Sequence, residues 1–230
     1  PIRLLDPPLH EFLPHTPAEI DEVAKAMGVS PKVIKAKTAS LHEFNPMLGH
    51  RGCSLGVTNT EIYRMQVRAI VEAAVQVKTA NKINVHPEIM IPLVGHIKEL
   101  DMLRKEAEQV IAEVLSKKKM KLDIMIGTMI ELPRAALTAG DIAKVADFFS
   151  FGTNDLTQTT FGLSRDDAGS FLPEYVAKGL LPEDPFVAID QNGVGRLMQL
   201  AATEGRATNA KLKVGICGEH GGEPSSVKFC

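Results

Sequence analysis

Residues 148–158 read FFSFGTNDLTQ. Phe148, Phe149 and Phe151 around the small Ser150 make the short apolar run of a buried strand. Gly152-Thr153-Asn154-Asp155 then ends it with residues that strands avoid. A turn accounts for the break, because Gly, Asn and Asp supply turn geometry cheaply. It does not by itself account for three ligand-capable side chains placed where a core strand stops.

Outward from this stretch the same grammar recurs. Apolar runs that fit strands occupy residues 1–6, 86–94, 122–131, 147–155 and 212–219, with a weaker candidate at 47–56. Helical patterns lie between them. Thr16-Pro17-Ala18-Glu19 combines an N-cap, a proline at N1 and a capping-box glutamate. Ser30-Pro31 repeats the cap and proline just after Gly28, which closes the preceding helix. Thr58 with Glu61 predicts a helix over 59–78 with Ile62, Met65, Ile70 and Ala73 on its apolar face. Residues 97–116 place Ile97, Leu100, Leu103, Ala107, Val110 and Val114 three and four apart, with charges between. A last full helix spans 195–205, and another begins after Pro224. Residues 156–190 are the longest poorly patterned stretch, and a loop of that length in a compact domain is more often functional than accidental.

Strands alternating with helices predict a parallel sheet covered by helices, and apolar rather than alternating strands suit burial on both faces. Six strands, a first one starting almost at residue 1 and a chain stopping inside a new helix predict a (β/α)₈ TIM-type barrel lacking its first and last β/α units. In that reading residues 1–230 form one barrel domain, a fragment of a larger multidomain enzyme. A complete six-stranded doubly wound sheet is the alternative.

The bulk numbers are those of an ordinary globular chain: 230 residues, 44% hydrophobic, 23% charged, formal net charge −2. They give no support for nucleic-acid or membrane-surface binding, and no apolar run reaches the length of a membrane span. Cys53, Cys217 and Cys230 are odd in number and without a CxxC pair, which favours an intracellular, reducing compartment over secretion. Cytoplasm and an organelle such as a plastid both fit.

Polar residues fall at predicted strand ends: Arg3 and Asp6, Arg51, Glu131, Asn154 and Asp155, then Cys217 and Glu219. In a parallel barrel those ends converge on the face that carries the active site. Glu131 and Asp155, on consecutive strands, are candidate ligands of one hard cation, Mg²⁺ rather than zinc; each could instead cap a following helix. Arg3 and Arg51 form a candidate anion clamp, with pairing to Asp6 as the alternative. Arg3, between Ile2 and Leu4, is expected to be near-buried. Cys217, beside Gly218, Gly221 and Gly222, is expected to be an exposed thiol able to hold and donate a proton, or else inert core. Gly152, Thr153 and Asn154 can offer backbone and amide donors to an oxyanion. His220 is an acid–base group or a surface residue; its setting favours neither.

Five segments, IRLLDPPLHEFLPH, NPMLGHRGCSLG, IGTMIELPRAALTA, FFSFGTNDLTQTTFGLSRDDAG and GICGEHGGEPSSV, resemble in order the C-terminal phosphoenolpyruvate/pyruvate domain of the pyruvate phosphate dikinase family, across essentially the whole chain. GTNDLTQ and CGE are also shared with phosphoenolpyruvate synthases and the first enzyme of the sugar phosphotransferase system. The resemblance implies that Arg3 and Arg51 hold the phosphoryl group, with Asp6 beside them, and that Glu131 and Asp155 bind Mg²⁺. It implies that Gly152, Thr153, Asn154 and Asp155 form the substrate loop and that Cys217 is the proton donor. A phosphohistidine on a separate swivelling domain and an ATP-binding domain of the same full-length chain are implied partners, as is a homo-oligomer of the full-length enzyme. A synthase using water as co-substrate, and a non-catalytic metabolite-binding or scaffold barrel, are the rivals. The family's further substrate arginine, on its first strand, has no match here.

Overall fold

In the computed structural model, which describes residues 1–230, five short strands make one parallel sheet. They are β1 (Ile2–Arg3), β2 (Glu88–Ile91), β3 (Met125–Ile130), β4 (Phe148–Gly152) and β5 (Lys213–Cys217), paired strictly in chain order. A doubly wound sheet reverses its strand order at a switch point. No reversal occurs here, and a sequential parallel order is the order of a barrel segment.

The helices are α1 (Pro17–Met27), α2 (Pro31–Ser40), α3 (Gly52–Thr58), α4 (Thr60–Asn81), α5 (Ile97–Lys118), α6 (Pro133–Leu137), α7 (Ala139–Ile142), α8 (Thr153–Phe161), α9 (Arg165–Ala168), α10 (Leu172–Ala177), α11 (Val194–Thr208) and α12 (Pro224–Phe229). None is long and apolar enough to cross a membrane. Right-handed crossovers between sequential parallel strands put the intervening helices on one face. Accordingly Ile89, Ile91, Ile126, Ile130, Phe149 and Phe151 bury one sheet face together with side chains of α4, α5, α7 and α11. The other face carries Met90, Met129 and Phe148, with Cys217 against them. Register aligns Met90 with Gly127, Met129 with Ser150 and Gly152 with Cys217, so this second face is built of methionines and small residues. A Cβ on Gly127 would collide with the Phe148 carbonyl, so the strands approach there only because that residue has no side chain.

The capping box at Thr16 and Glu19 forms as expected, and Gly28 ends α1 in the left-handed region with φ 66°. The apolar stripe of α5 is buried as its spacing predicts, at Leu100, Leu103, Ala107, Val110 and Val114. Full burial of each Leu or Val there contributes roughly 1.5–3 kcal/mol.

Four expectations are corrected. The strand at 47–56 is absent: Pro46–Leu48 is a 3₁₀ turn capped by the Asn45 side chain, and α3 follows. Gly52, with φ 58°, bends the chain where an extended strand would have to continue. Thr58 belongs to the end of α3, its hydroxyl donating to the Ser54 carbonyl, so α4 starts at Thr60. The buried face of α4 is Tyr63, Val67, Val71, Ala74 and Val75, while Met65 and Ala73 point to solvent. Ser30 precedes α2 without making a side-chain cap.

Candidate active site

Glu131 follows β3 directly and is 1% exposed. Its Oε1 accepts the Leu93 backbone N–H at 2.6 Å, whereas Oε2 has no hydrogen-bond partner. Burial, with the charges of Asp155 and Asp6 adding to it, pushes the carboxyl up to about 8. Leu93 holds its donor in a left-handed conformation, φ 53°, after β2. The Cys53 thiol donates to the Leu93 carbonyl at 3.0 Å, and Gly52 leaves the room its side chain needs.

Asp155 lies in the first turn of α8, where a carboxylate is favoured by the helix dipole. Its Oδ2 accepts from an Arg51 Nη at 3.1 Å and its Oδ1 from the Gln158 amide at 3.1 Å. Arg51 is 4% exposed and N-caps α3 in extended backbone rather than ending a strand. The same Nη also reaches both Asp6 oxygens at 3.3 and 3.4 Å. Arg3 pairs with Asp6 at 3.0 Å, but its side chain is 43% exposed. The expected near-burial of Arg3 fails because β1 is a two-residue edge strand with Ile2 exposed. Asp6 is buried, and desolvation raises its pKa despite the two guanidinium groups. Both arginines are thus bonded to acids.

Cys217 ends β5 half-buried rather than exposed. The Ser150 hydroxyl donates to its Sγ at 3.3 Å, and Sγ lies 3.5 Å from the Phe151 carbonyl. Burial pushes the thiol up from its ordinary value, so it keeps its proton at neutral pH. Cys53 is driven up further and is enclosed in the core.

Arg3, Glu131, Gly152, Thr153, Asn154, Asp155 and Cys217 line one pocket of about 340 Å³, with Met90 and Met129 as its apolar floor. Arg51 does not line it. With Asp155 it lines a neighbouring cavity of about 840 Å³ between the 44–49 segment and the residues after α8. Asp6 stands behind both arginines. Ser150 and Leu93 were not singled out from sequence. Ser150 had a usable signal, since period-two alternation puts it on the same face as Gly152.

A hard cation fits this arrangement. An orphaned, buried carboxylate oxygen on Glu131 points beside a residue without a side chain: a Cβ on Gly152 would collide with Oε2. Two carboxylates supply only part of a coordination shell, which suits an ion that keeps sites for water and substrate.

Fold and site together define a parallel α/β domain that gathers carboxylates, an arginine and a thiol near the C-terminal ends of its strands. The chain belongs to the PEP-utilising enzymes, matching the model of their PEP-binding domain over residues 1–230. It is 58% identical over 229 residues to the pyruvate, phosphate dikinase of Rhizobium meliloti, covering 100% of this chain and 26% of that protein. It is 57% identical over 229 residues to that of Clostridium symbiosum, with the same coverage. The chloroplastic pyruvate, phosphate dikinase of Flaveria trinervia is 56% identical over 230 residues, 99% of this chain and 24% of the relative. The chain spans about a quarter of the length of the curated relatives it matches.

Proposed function

We propose that residues 1–230 are the phosphoenolpyruvate/pyruvate-binding domain of a pyruvate, phosphate dikinase, which interconverts ATP, pyruvate and phosphate with AMP, phosphoenolpyruvate and pyrophosphate. The observation that carries this reading is the unpartnered, buried oxygen of Glu131 sharing a pocket with Asp155 and the half-buried Cys217 thiol. In the proposal the domain is a (β/α)₈ barrel whose first and last units lie outside this chain, and the phosphoryl donor is a phosphohistidine of another domain of the full-length enzyme.

Glu131 and Asp155 would hold Mg²⁺, which supplies Lewis-acid stabilisation to the enolate oxygen of the substrate. A cation there would favour the ionised form of Glu131, which burial disfavours. Arg3 and Arg51 turn from Asp6 toward the phosphoryl oxygens. Their fixed charge and fork geometry provide the positioning that phosphoryl transfer chiefly needs. Cys217 gives its proton to C3 of the enolate as pyruvate forms and takes it back in reverse. Met90 and Met129 would give the apolar part of that pocket against which the carbon sits.

The test is made in the full-length protein with Mg²⁺. Wild type is expected to exchange the C3 protons of pyruvate with solvent. Cys217→Ala is expected to abolish turnover while phosphoenolpyruvate still binds. A Cys217→Ala enzyme of near-normal turnover would remove the thiol from the mechanism, and a wild type without exchange would remove the reading.

A further inference from the structure

We infer that His220, which the chemistry above does not use, is a positioning residue for proton transfer at Cys217, acting through Thr153. This rests on the proposed reading of the site. His220 lies three residues past Cys217 in the turn Glu219–Gly222 and is 0% exposed. Its Nε2 is 2.9 Å from the Pro185 carbonyl and its Nδ1 is 2.8 Å from the Thr153 hydroxyl oxygen. That hydroxyl, also fully buried, lies 3.1 Å from the backbone carbonyl of Cys217.

The Pro185 carbonyl only accepts, so its contact with Nε2 requires a proton on that nitrogen. The Thr153 hydroxyl, which has one proton and can also accept, stands between Nδ1 and the Cys217 carbonyl and is within hydrogen-bond reach of both. The ring therefore sets where Thr153 stands between His220 and the end of β5. Thr153 in turn opens α8, which carries Asn154 and Asp155.

Two further observations tie the same parts together. Gly218 adopts φ 99°, and a Cβ there would stand 2.9 Å from the Thr153 hydroxyl and 3.2 Å from the Asn154 amide oxygen. The turn joining Cys217 to His220 is thus pressed against the residues proposed to meet substrate. The Ile189 N–H donates to the Ser226 hydroxyl at 3.0 Å, so residues 185–189 are pinned to 220–226 at two buried points. Through His220, the long excursion after α8 registers the thiol against Thr153.

The experiment measures solvent exchange of pyruvate C3 protons in the full-length enzyme with Mg²⁺. His220→Leu is expected to lower the exchange rate at saturating pyruvate by on the order of 10- to 100-fold, as misplacement of a reacting group does. The pyruvate KM should change by less than about threefold, because the lost interaction acts on the proton-transfer step. His220→Gln keeps an N–H donor and a carbonyl acceptor and should return most of the rate. Thr153→Val removes only the hydroxyl and should reproduce the loss. Unchanged exchange in His220→Leu, or a loss confined to KM, overturns the inference, as does a glutamine variant no better than leucine. Should His220→Leu fail to fold, wild-type exchange in Thr153→Val overturns it equally. No exchange in the unmodified enzyme would instead strike the functional reading itself.

Discussion

At the scale of single residues, the site depends on where side chains are missing as much as on where they stand. Gly152 has φ −83°, a conformation that alanine accepts, yet its Cβ would meet Glu131 Oε2 and lie 2.6 Å from the Met129 methyl. Gly152→Ala is therefore expected to fold normally by circular dichroism. In the full-length protein it should bind phosphoenolpyruvate with Mg²⁺ about 10-fold or more weakly, as loss of about 1.4 kcal/mol implies. Isothermal titration with unaltered affinity would show that the Glu131 oxygen is not the cation's seat. That Glu131, Asp155 and Cys217 would meet in one pocket was legible because each stands at or just past the end of an apolar run, which needs only local sequence. Ser150, Leu93 and His220 were not, because their meaning lies in partners 67, 38 and 67 positions away. Arg3 was misjudged for a related reason: its apolar neighbours do not disclose that its strand is an edge.

At the scale of elements, strands and long helices were readable from periodicity, and the errors cluster where local signals compete. The apolar residues of 47–56 are preceded by Pro46 and interrupted by Gly49 and Gly52, and the backbone geometry at Gly52 outweighed the apolar run. On α4 the predicted stripe is half right: Ile62 and Ile70 pack against the core, while Met65 and Ala73 face solvent, because Val, Ile and Ala are so frequent that two adjacent faces both look apolar. The last helix offers a test of local chemistry. Glu223 caps α12, accepting from the Ser226 and Ser225 hydroxyls and backbone N–H groups. The Ser226 side-chain bond, first among these, helps hold its carboxyl down at about 2. A lowered carboxyl stabilises the fold above the unfolded value, near 4.3, and the contribution fades as pH falls toward 2. Hydrogen exchange in α12 should show opening that increases from pH 5 to pH 3 in wild type, after correction for intrinsic rates. In Glu223→Gln opening should be larger at neutral pH and flat across that range. Parallel pH dependence in the two proteins would mean that the carboxylate carries no weight in the cap.

At the scale of the molecule, a parallel sheet is stable when both faces are covered and its edges are occupied. Here the helices cover one face, while β1 bonds only to β2 and β5 only to β4. Produced as residues 1–230 alone, the protein is expected to self-associate with rising concentration, read by light scattering behind size exclusion. A monomer at every concentration would show that the outer edges are already protected. The strict chain order of the strands is what the sequence could not display, since pairing is a long-range property; alternation of strand and helix narrowed it to two architectures. One consequence belongs to Leu93. A branched side chain held at positive φ costs on the order of 1–3 kcal/mol, and here that backbone presents its N–H to Glu131. Selection or design for thermal stability alone would favour relaxing residue 93, and doing so would let the carboxylate turn. At this position the most durable sequence and the most competent one diverge, so a stabilised variant that leaves Leu93 untouched is the one to seek.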